Sequence, residues 1–126
     1  MLDLWRKAGV RPSVSDDVEQ LTRLLRAHGD LFLVAEQDSR IVGTILGGWD
    51  GWRASMYRLA VLPEYRRKGI AKALVQETER LLVARGARRI SILVAQEDVS
   101  ASAFWDALHS SGYVPDPRMK RYVKTL

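Results

Sequence analysis

The residues best suited to chemistry stand together, in Leu59-Ala60-Val61-Leu62-Pro63-Glu64-Tyr65-Arg66-Arg67-Lys68-Gly69-Ile70-Ala71-Lys72. An apolar strand-like run ends here, a short basic turn follows, and a helix opens on a glycine. The first amides of a helix have no partner within it, and the helix dipole puts partial positive charge at the same end. Such an end takes up phosphate. Gly69 has no side chain to hold a ligand away from the backbone, and Ala71 keeps the next turn small. Arg66, Arg67, Lys68 and Lys72 surround that spot with positive charge. The combination suits a diphosphate. A merely solvated basic face is the plainer reading, but the strand–turn–helix setting is the one a phosphate loop requires. Two other phosphate loops are missing: there is no G-x-x-x-x-G-K-[ST], and Gly47-Gly48 does not build a G-x-G-x-x-G opening a helix.

These residues must be positioned by the elements around them. Leu2 to Ala8 reads as a short helix closed by Gly9, with Pro12 in the loop beyond. A second helix is predicted from Ser15 to His28, capped by Ser13 or Ser15, with Val14, Val18, Leu21 and Leu25 as its apolar stripe and Gly29 as its stop. Leu31 to Ala35 reads as a strand, Asp38-Ser39 as a hairpin turn, and Ile41 to Leu46 as the partner strand. Gly47-Gly48-Trp49-Asp50-Gly51 is expected to be a loop. A third strand runs from Arg53 to Val61 and stops at Pro63. The helix opening at Gly69 should reach Arg85, with Ile70, Leu74, Leu81 and Leu82 inward and Gly86 as its stop. Arg89 to Val94 alternates as a strand, Val99 to Ser110 reads as a helix, and Pro115-Asp116-Pro117 as a turn. A last strand is expected from Met119 to Thr125. The order predicts an α/β chain: a mixed, mostly antiparallel sheet flanked by helices, in one domain over residues 1–126.

Composition narrows the function. With 126 residues the chain can bury one core but not two. A formal charge of +5 asks for an anionic partner. The basic residues gather at one helix start instead of along a face, which argues against nucleic acid. No apolar run approaches the length of a membrane span, and the N-terminus lacks a signal-peptide core, so a cytoplasmic, membrane-free protein is expected. There are no cysteines and only two histidines, so neither a thiolate nor a histidine-rich metal site is expected.

The stretch Val61 to Ala71 resembles the R/Q-x-x-G-x-G/A coenzyme A signature of the GNAT superfamily of N-acetyltransferases. The resemblance extends from Leu31 to the C-terminus. It is closest to small bacterial members of the YpeA type, which share the style of Leu31-Phe32-Leu33-Val34-Ala35-Glu36 and Gly47-Gly48-Trp49-Asp50-Gly51. It implies acetyl-coenzyme A as cosubstrate and a small-molecule or protein amine as acceptor. By that likeness, backbone groups of Leu59, Ala60 and Val61 hold the pantetheine arm and acetyl group, with the Val61 N–H polarising the thioester carbonyl. The amides from Arg67 to Lys72 then cradle the pyrophosphate. The likeness further implies that the strand carrying Leu59–Val61 bulges and splays from the Ile90–Val94 strand.

The sequence departs from that family in three places. Relatives carry a general-acid tyrosine on the last helix, and its position falls on Trp105 or Leu108, depending on the end from which the helix is aligned. Glutamates used as bases elsewhere fall on Ser55 or Leu93. None of these can move a proton as required. His109, Tyr113 and Tyr122 remain as candidate acids, and Glu97 or Asp98 as candidate bases. Each has an ordinary structural role too: His109 at a helix end, Tyr113 in the core, Asp98 as the N-cap of the last helix and a neighbour of the pantetheine arm. A coenzyme A-binding module without transferase activity is therefore the competing reading. Trp5 is expected to cover core, and Trp49 and Trp52 either to do the same or to line an acceptor pocket or a subunit contact. Finally, the strand that usually precedes the first helix is missing. That leaves the Leu31–Glu36 edge open, either to a second copy in a homodimer or because the true start lies upstream.

Overall fold

The computed structural model describes residues 2–8, 18–95 and 98–126. The chain divides into two compact units, Met1–Ile92 and Leu93–Leu126. The first contains α1 (Leu2–Lys7), α2 (Val18–His28), β1 (Phe32–Gln37), β2 (Arg40–Trp49), β3 (Ala54–Val61), α3 (Ile70–Ala84) and β4 (Ile90–Ile92). The second contains α4 (Val99–Ala107) and a 3₁₀ turn at His109–Ser111.

The four strands form one sheet in the order β1-β2-β3-β4, antiparallel except for the parallel β3–β4 pair. β1 is an edge of the sheet. The β1–β2 hairpin turns on Asp38 and Ser39, at φ 54° and 61°. Two consecutive left-handed residues match the right-handed twist of the flanking strands.

β2 is buried continuously from Val42 to Gly47 because both faces of the sheet are covered there. On one face Val42 and Leu46 join Leu4, Trp5, Ala60 and Leu62 in a core cluster, with Leu21 and Leu24 of α2 packed against it. On the other, α3 comes close over the glycines of β2. A Cβ on Gly47 would stand 3.1 Å from Thr78 Cγ2, and one on Gly43 3.2 Å from Leu74 Cδ1. Leu31, Ile45 and Leu82 are fully buried, each worth about 1.5–3 kcal/mol of transfer free energy.

Four expectations are corrected. Gly47, Gly48 and Trp49 belong to β2, and the turn is confined to residues 50–53. These glycines serve close approach by neighbours, not a loop. In α2 the inward residues are Leu21 and Leu24, both half-buried, while Val18 and Leu25 face solvent; Val14 and the caps Ser13 and Ser15 lie outside the described residues. β4 is three residues long and leaves Leu93 exposed. Residues 119–125 form no strand: Met119, Tyr122 and Val123 are exposed, and no ladder includes them. Strand-forming side chains make a strand only where an edge accepts them.

Within the second unit, α4 starts at Asp98, whose Oδ1 accepts the Ala101 N–H at 2.9 Å. It ends sooner than expected, and the 3₁₀ turn after it closes on Gly112 at φ 94°.

Candidate functional site

Two backbone irregularities define the site region in the first unit. The first is in β3. Thr44 pairs with Ala60 but Leu46 pairs with Tyr57, so Arg58 and Leu59 together oppose Ile45. This is a β-bulge, and its first residue, Arg58, has φ 52°. On the other side of β3 the ladder to β4 covers only Ala54–Met56. Past Met56 no β4 pairing accompanies β3 among the described residues. Leu62 donates to the Val42 carbonyl at 2.9 Å. By the alternation of an antiparallel ladder, the Val61 backbone then points away from β2.

The second irregularity is the turn into α3. After a 3₁₀ turn at Pro63–Tyr65, Arg67 takes φ 61° and Gly69 takes φ 81°. Gly69 is the N-cap; it offers no side-chain cap, and no acidic residue stands in the first turn of α3. The Gly69 carbonyl accepts from Ala73 at 3.0 Å, which leaves the amides before Ala73 as the usual orphan donors of a helix start. A Cβ built on Gly69 meets nothing within 4 Å, so the space in front of these amides is open. Arg66, Arg67, Lys68, Gly69 and Lys72 are exposed, and Ile70 and Ala71 half-buried. Open amides, exposed cations and no carboxylate in the first turn of the helix suit a diphosphate.

The cations are not equivalent. Arg66 Nε donates to the Val61 carbonyl at 3.1 Å, and its guanidinium also reaches the Ala8 carbonyl at 2.7 Å. It ties the turn to β3 and α1. Lys68 lies over the Tyr65 ring at 5.3 Å, and the Tyr65 hydroxyl donates to Asp38 Oδ2 at 2.9 Å. That bond, then burial, raises the Tyr65 pKa above 10.0. Among the described residues no ion pair engages Arg67 or Lys72.

The candidate acids and bases are placed as follows. Asp98 caps α4, His109 opens the following 3₁₀ turn on the surface, and Tyr113 is half-buried with its ring 5.3 Å from Trp105. Tyr122 is 88% exposed. Glu97 lies outside the described residues. All three of Asp98, His109 and Tyr113 belong to the second unit, whereas Leu59–Val61 and 66–72 belong to the first. Among the described residues no group of three or more metal-ligating side chains gathers. At the β2–β3 turn, Asp50 Oδ1 accepts from the N–H groups of Trp52 and Arg53, and Trp52 projects with Arg53 stacked on it at 4.3 Å.

Sequence reasoning missed two polar features of β2 and β3. Ser55 Oγ donates to the Tyr57 hydroxyl at 2.7 Å on the exposed side of β3, both above Gly48. Thr44 is fully buried, accepting from Trp5 Nε1 at 2.8 Å and donating to the Arg58 carbonyl at 3.1 Å. The signals were present: hydroxyls two residues apart on one strand face, and a lone hydroxyl inside the apolar run Val42 to Leu46.

A mixed sheet with a bulged, partly unpaired third strand feeding an uncapped helix start is the α/β architecture that the GNAT resemblance implies. Sequence comparison agrees: the profile of the Acetyltransferase (GNAT) family matches residues 1–109, and the chain belongs to that family. It is 36% identical over 108 residues to an acetyltransferase of Pectobacterium atrosepticum, covering 86% of this chain and 77% of that protein. An acetyltransferase of Photorhabdus laumondii is 43% identical over 105 residues, covering 82% and 72%. Among solved structures, a diaminobutyrate acetyltransferase from Paenibacillus lautus, bound to L-2,4-diaminobutyric acid and coenzyme A, has the same fold. Its TM-score is 0.73 at 22% identity, over 90% of this chain and 69% of that one. The protein is an acetyl-coenzyme A-dependent acetyltransferase with a GNAT fold. No helix among the described residues is long and apolar enough to cross a membrane.

Proposed function

We propose that this acetyltransferase holds acetyl-coenzyme A along one continuous backbone path, from Leu59, Ala60 and Val61 to the amides between Arg67 and Lys72. The acetyl group goes to a primary amine of a small molecule or a protein. One observation carries the reading: the bulged β3 leads through one short loop to the uncapped start of α3, and Arg66 ties that loop to Val61 at the end of β3. In this reading Arg67, Lys68 and Lys72 add charge around the diphosphate, Gly69 lets it reach the amides, and Ile70 and Ala71 extend the cradle.

Acetyl-coenzyme A supplies a thioester whose carbonyl carbon is attacked by the neutral amine nitrogen. The C–N bond forms as the C–S bond breaks, the amine proton leaves to a base, and the departing thiolate gains a proton. The chain's contribution is to fix the thioester and to aim the Val61 N–H at the carbonyl oxygen as negative charge develops there. Positioning and such preorganised donors supply much of the acceleration in reactions of this kind. By the family resemblance alone, Asp98 is the candidate neighbour of the pantetheine arm, and His109 and Tyr113 are the acid candidates.

The family match covers the first compact unit and extends into the second as far as residue 109, which supports reading residues 1–126 as one functional domain. The absence of cysteine supports a reducing, cytoplasmic setting. The β1 edge, unpaired among the described residues, supports pairing with a second copy. The test is a calorimetric titration with acetyl-coenzyme A, followed by thiol release over a panel of amines. Binding with amine-dependent release is expected. Binding without release for every amine would leave a coenzyme A carrier, and no binding would end the proposal.

A further inference from the structure

The bulge in β3 puts Arg58 in a backbone region that side-chain-bearing residues avoid, so something must hold it there. Its carbonyl, turned out of the ladder, accepts from Thr44 Oγ1 at 3.1 Å. Thr44 in turn accepts from the indole N–H of Trp5 at 2.8 Å. Both supports are buried, Thr44 at 0% and Trp5 at 3% exposure, and the Arg58 guanidinium lies over the Trp5 ring at 5.5 Å. The single hydroxyl of Thr44 thus links the two, accepting one bond and donating its one hydrogen in the other.

The bulge decides which way the end of β3 faces. Before it, Leu46 pairs with Tyr57; after it, Thr44 pairs with Ala60. Extending the first register without the extra residue would place Val61 opposite Val42 instead of Gly43, and would turn its N–H toward β2. With the bulge, Leu62 bonds Val42 and Val61 points away from β2. A one-residue change of phase would also move Ala60 and Leu62 out of the cluster they share with Leu4 and Trp5.

We propose that the buried Trp5–Thr44 pair is a positioning device: by holding the Arg58 carbonyl it keeps the bulge in the phase that aims Val61 at the thioester. This rests on the cofactor path proposed above and goes beyond it, because it gives α1 a role in orienting the donor and not only in covering the core. It acts on the pantetheine and thioester end of the path alone. The diphosphate end depends on the loop after Pro63.

Two ligands separate those ends: acetyl-coenzyme A, and 3′-phosphoadenosine 5′-diphosphate, which carries the nucleotide and diphosphate without the pantetheine arm. Thr44→Val keeps the shape and removes the hydroxyl. It is expected to weaken acetyl-coenzyme A binding about tenfold, the worth of one net hydrogen bond, and to lower kcat, while the nucleotide binds as to wild type. Thr44→Ser should restore both. If Thr44→Val does not fold, Trp5→Phe should give a smaller loss of the same selective kind. Equal weakening of both ligands, or unchanged binding and kcat in Thr44→Val, would overturn the inference and leave the cofactor path standing. Wild-type protein that binds neither ligand would overturn the path itself.

Discussion

Arg66 reaches back over its own turn to Val61, donating from Nε to the carbonyl at 3.1 Å. The last residue of β3 and the loop before α3 are thereby held as one piece, and the same guanidinium extends to the Ala8 carbonyl behind α1. A cation in a basic loop would ordinarily be read as a ligand for anions. Here geometry gives it a structural task first.

Removing that tie should loosen the loop relative to the strand. Arg66→Ala is expected to cost about 1 kcal/mol of stability and to raise the KM for acetyl-coenzyme A about tenfold. Arg66→Lys should recover little, because one ammonium cannot reproduce a planar fork serving two carbonyls. Urea melts and steady-state kinetics on the three proteins check this. An unchanged KM in Arg66→Ala would detach Arg66 from cofactor binding.

Gly69 tests the diphosphate cradle. Its φ of 81° makes any side chain costly, about 1 kcal/mol for Gly69→Ala, although a Cβ would meet no atom. Gly69→Ala should therefore bind coenzyme A a fewfold more weakly with a small loss of thermal stability. Gly69→Glu adds bulk and negative charge where the phosphates would sit and should abolish binding while the domain still melts cooperatively. Calorimetric titration of both variants decides it. Retained affinity in Gly69→Glu would place the cofactor elsewhere.

Tyr65 makes the alkaline limb of stability diagnostic. Its pKa is raised, mainly by the hydroxyl donating to Asp38 and secondly by burial, so the folded state favours the protonated phenol. The stabilisation is fully present below the unfolded pKa near 10 and is lost as pH rises through the higher folded value. Wild-type protein should therefore lose stability above that pH more steeply than Tyr65→Phe. Thermal melts of both proteins on buffers either side of the phenol pKa report the difference. Parallel curves would remove the Asp38 bond from the account.

Asp98 separates a cap from a base. Asp98→Ala should cost about 1 kcal/mol through loss of the bond from Ala101, whereas Asp98→Asn keeps an acceptor and most of the stability. If Asp98 served as a general base, Asp98→Asn would lower kcat by a factor on the order of 10². We expect kcat in Asp98→Asn within about twofold of wild type, well below that effect. Circular dichroism melts alongside thiol release give both readouts from one preparation.

What could be read from the residues alone was what neighbouring residues control. The turn at Asp38-Ser39, the glycine that opens α3, and the basic turn between a strand and a helix all depend on local backbone preference and charge. So did the family likeness, carried by Val61 to Ala71. The tertiary structure decided what depends on partners distant in the chain. Gly47 looked like a loop residue until Thr78 and Leu31 closed over it. The run from Met119 to Thr125 looked like a strand but found no edge, so its apolar residues stayed in solvent. Trp5 looked like core cover, and Thr44 drew no notice. Their bond spans 39 residues of sequence and supports a bulge that no periodicity announces. Turn conformation is a property of a few adjacent dihedrals. Register, phase and close approach exist only once separate elements have met.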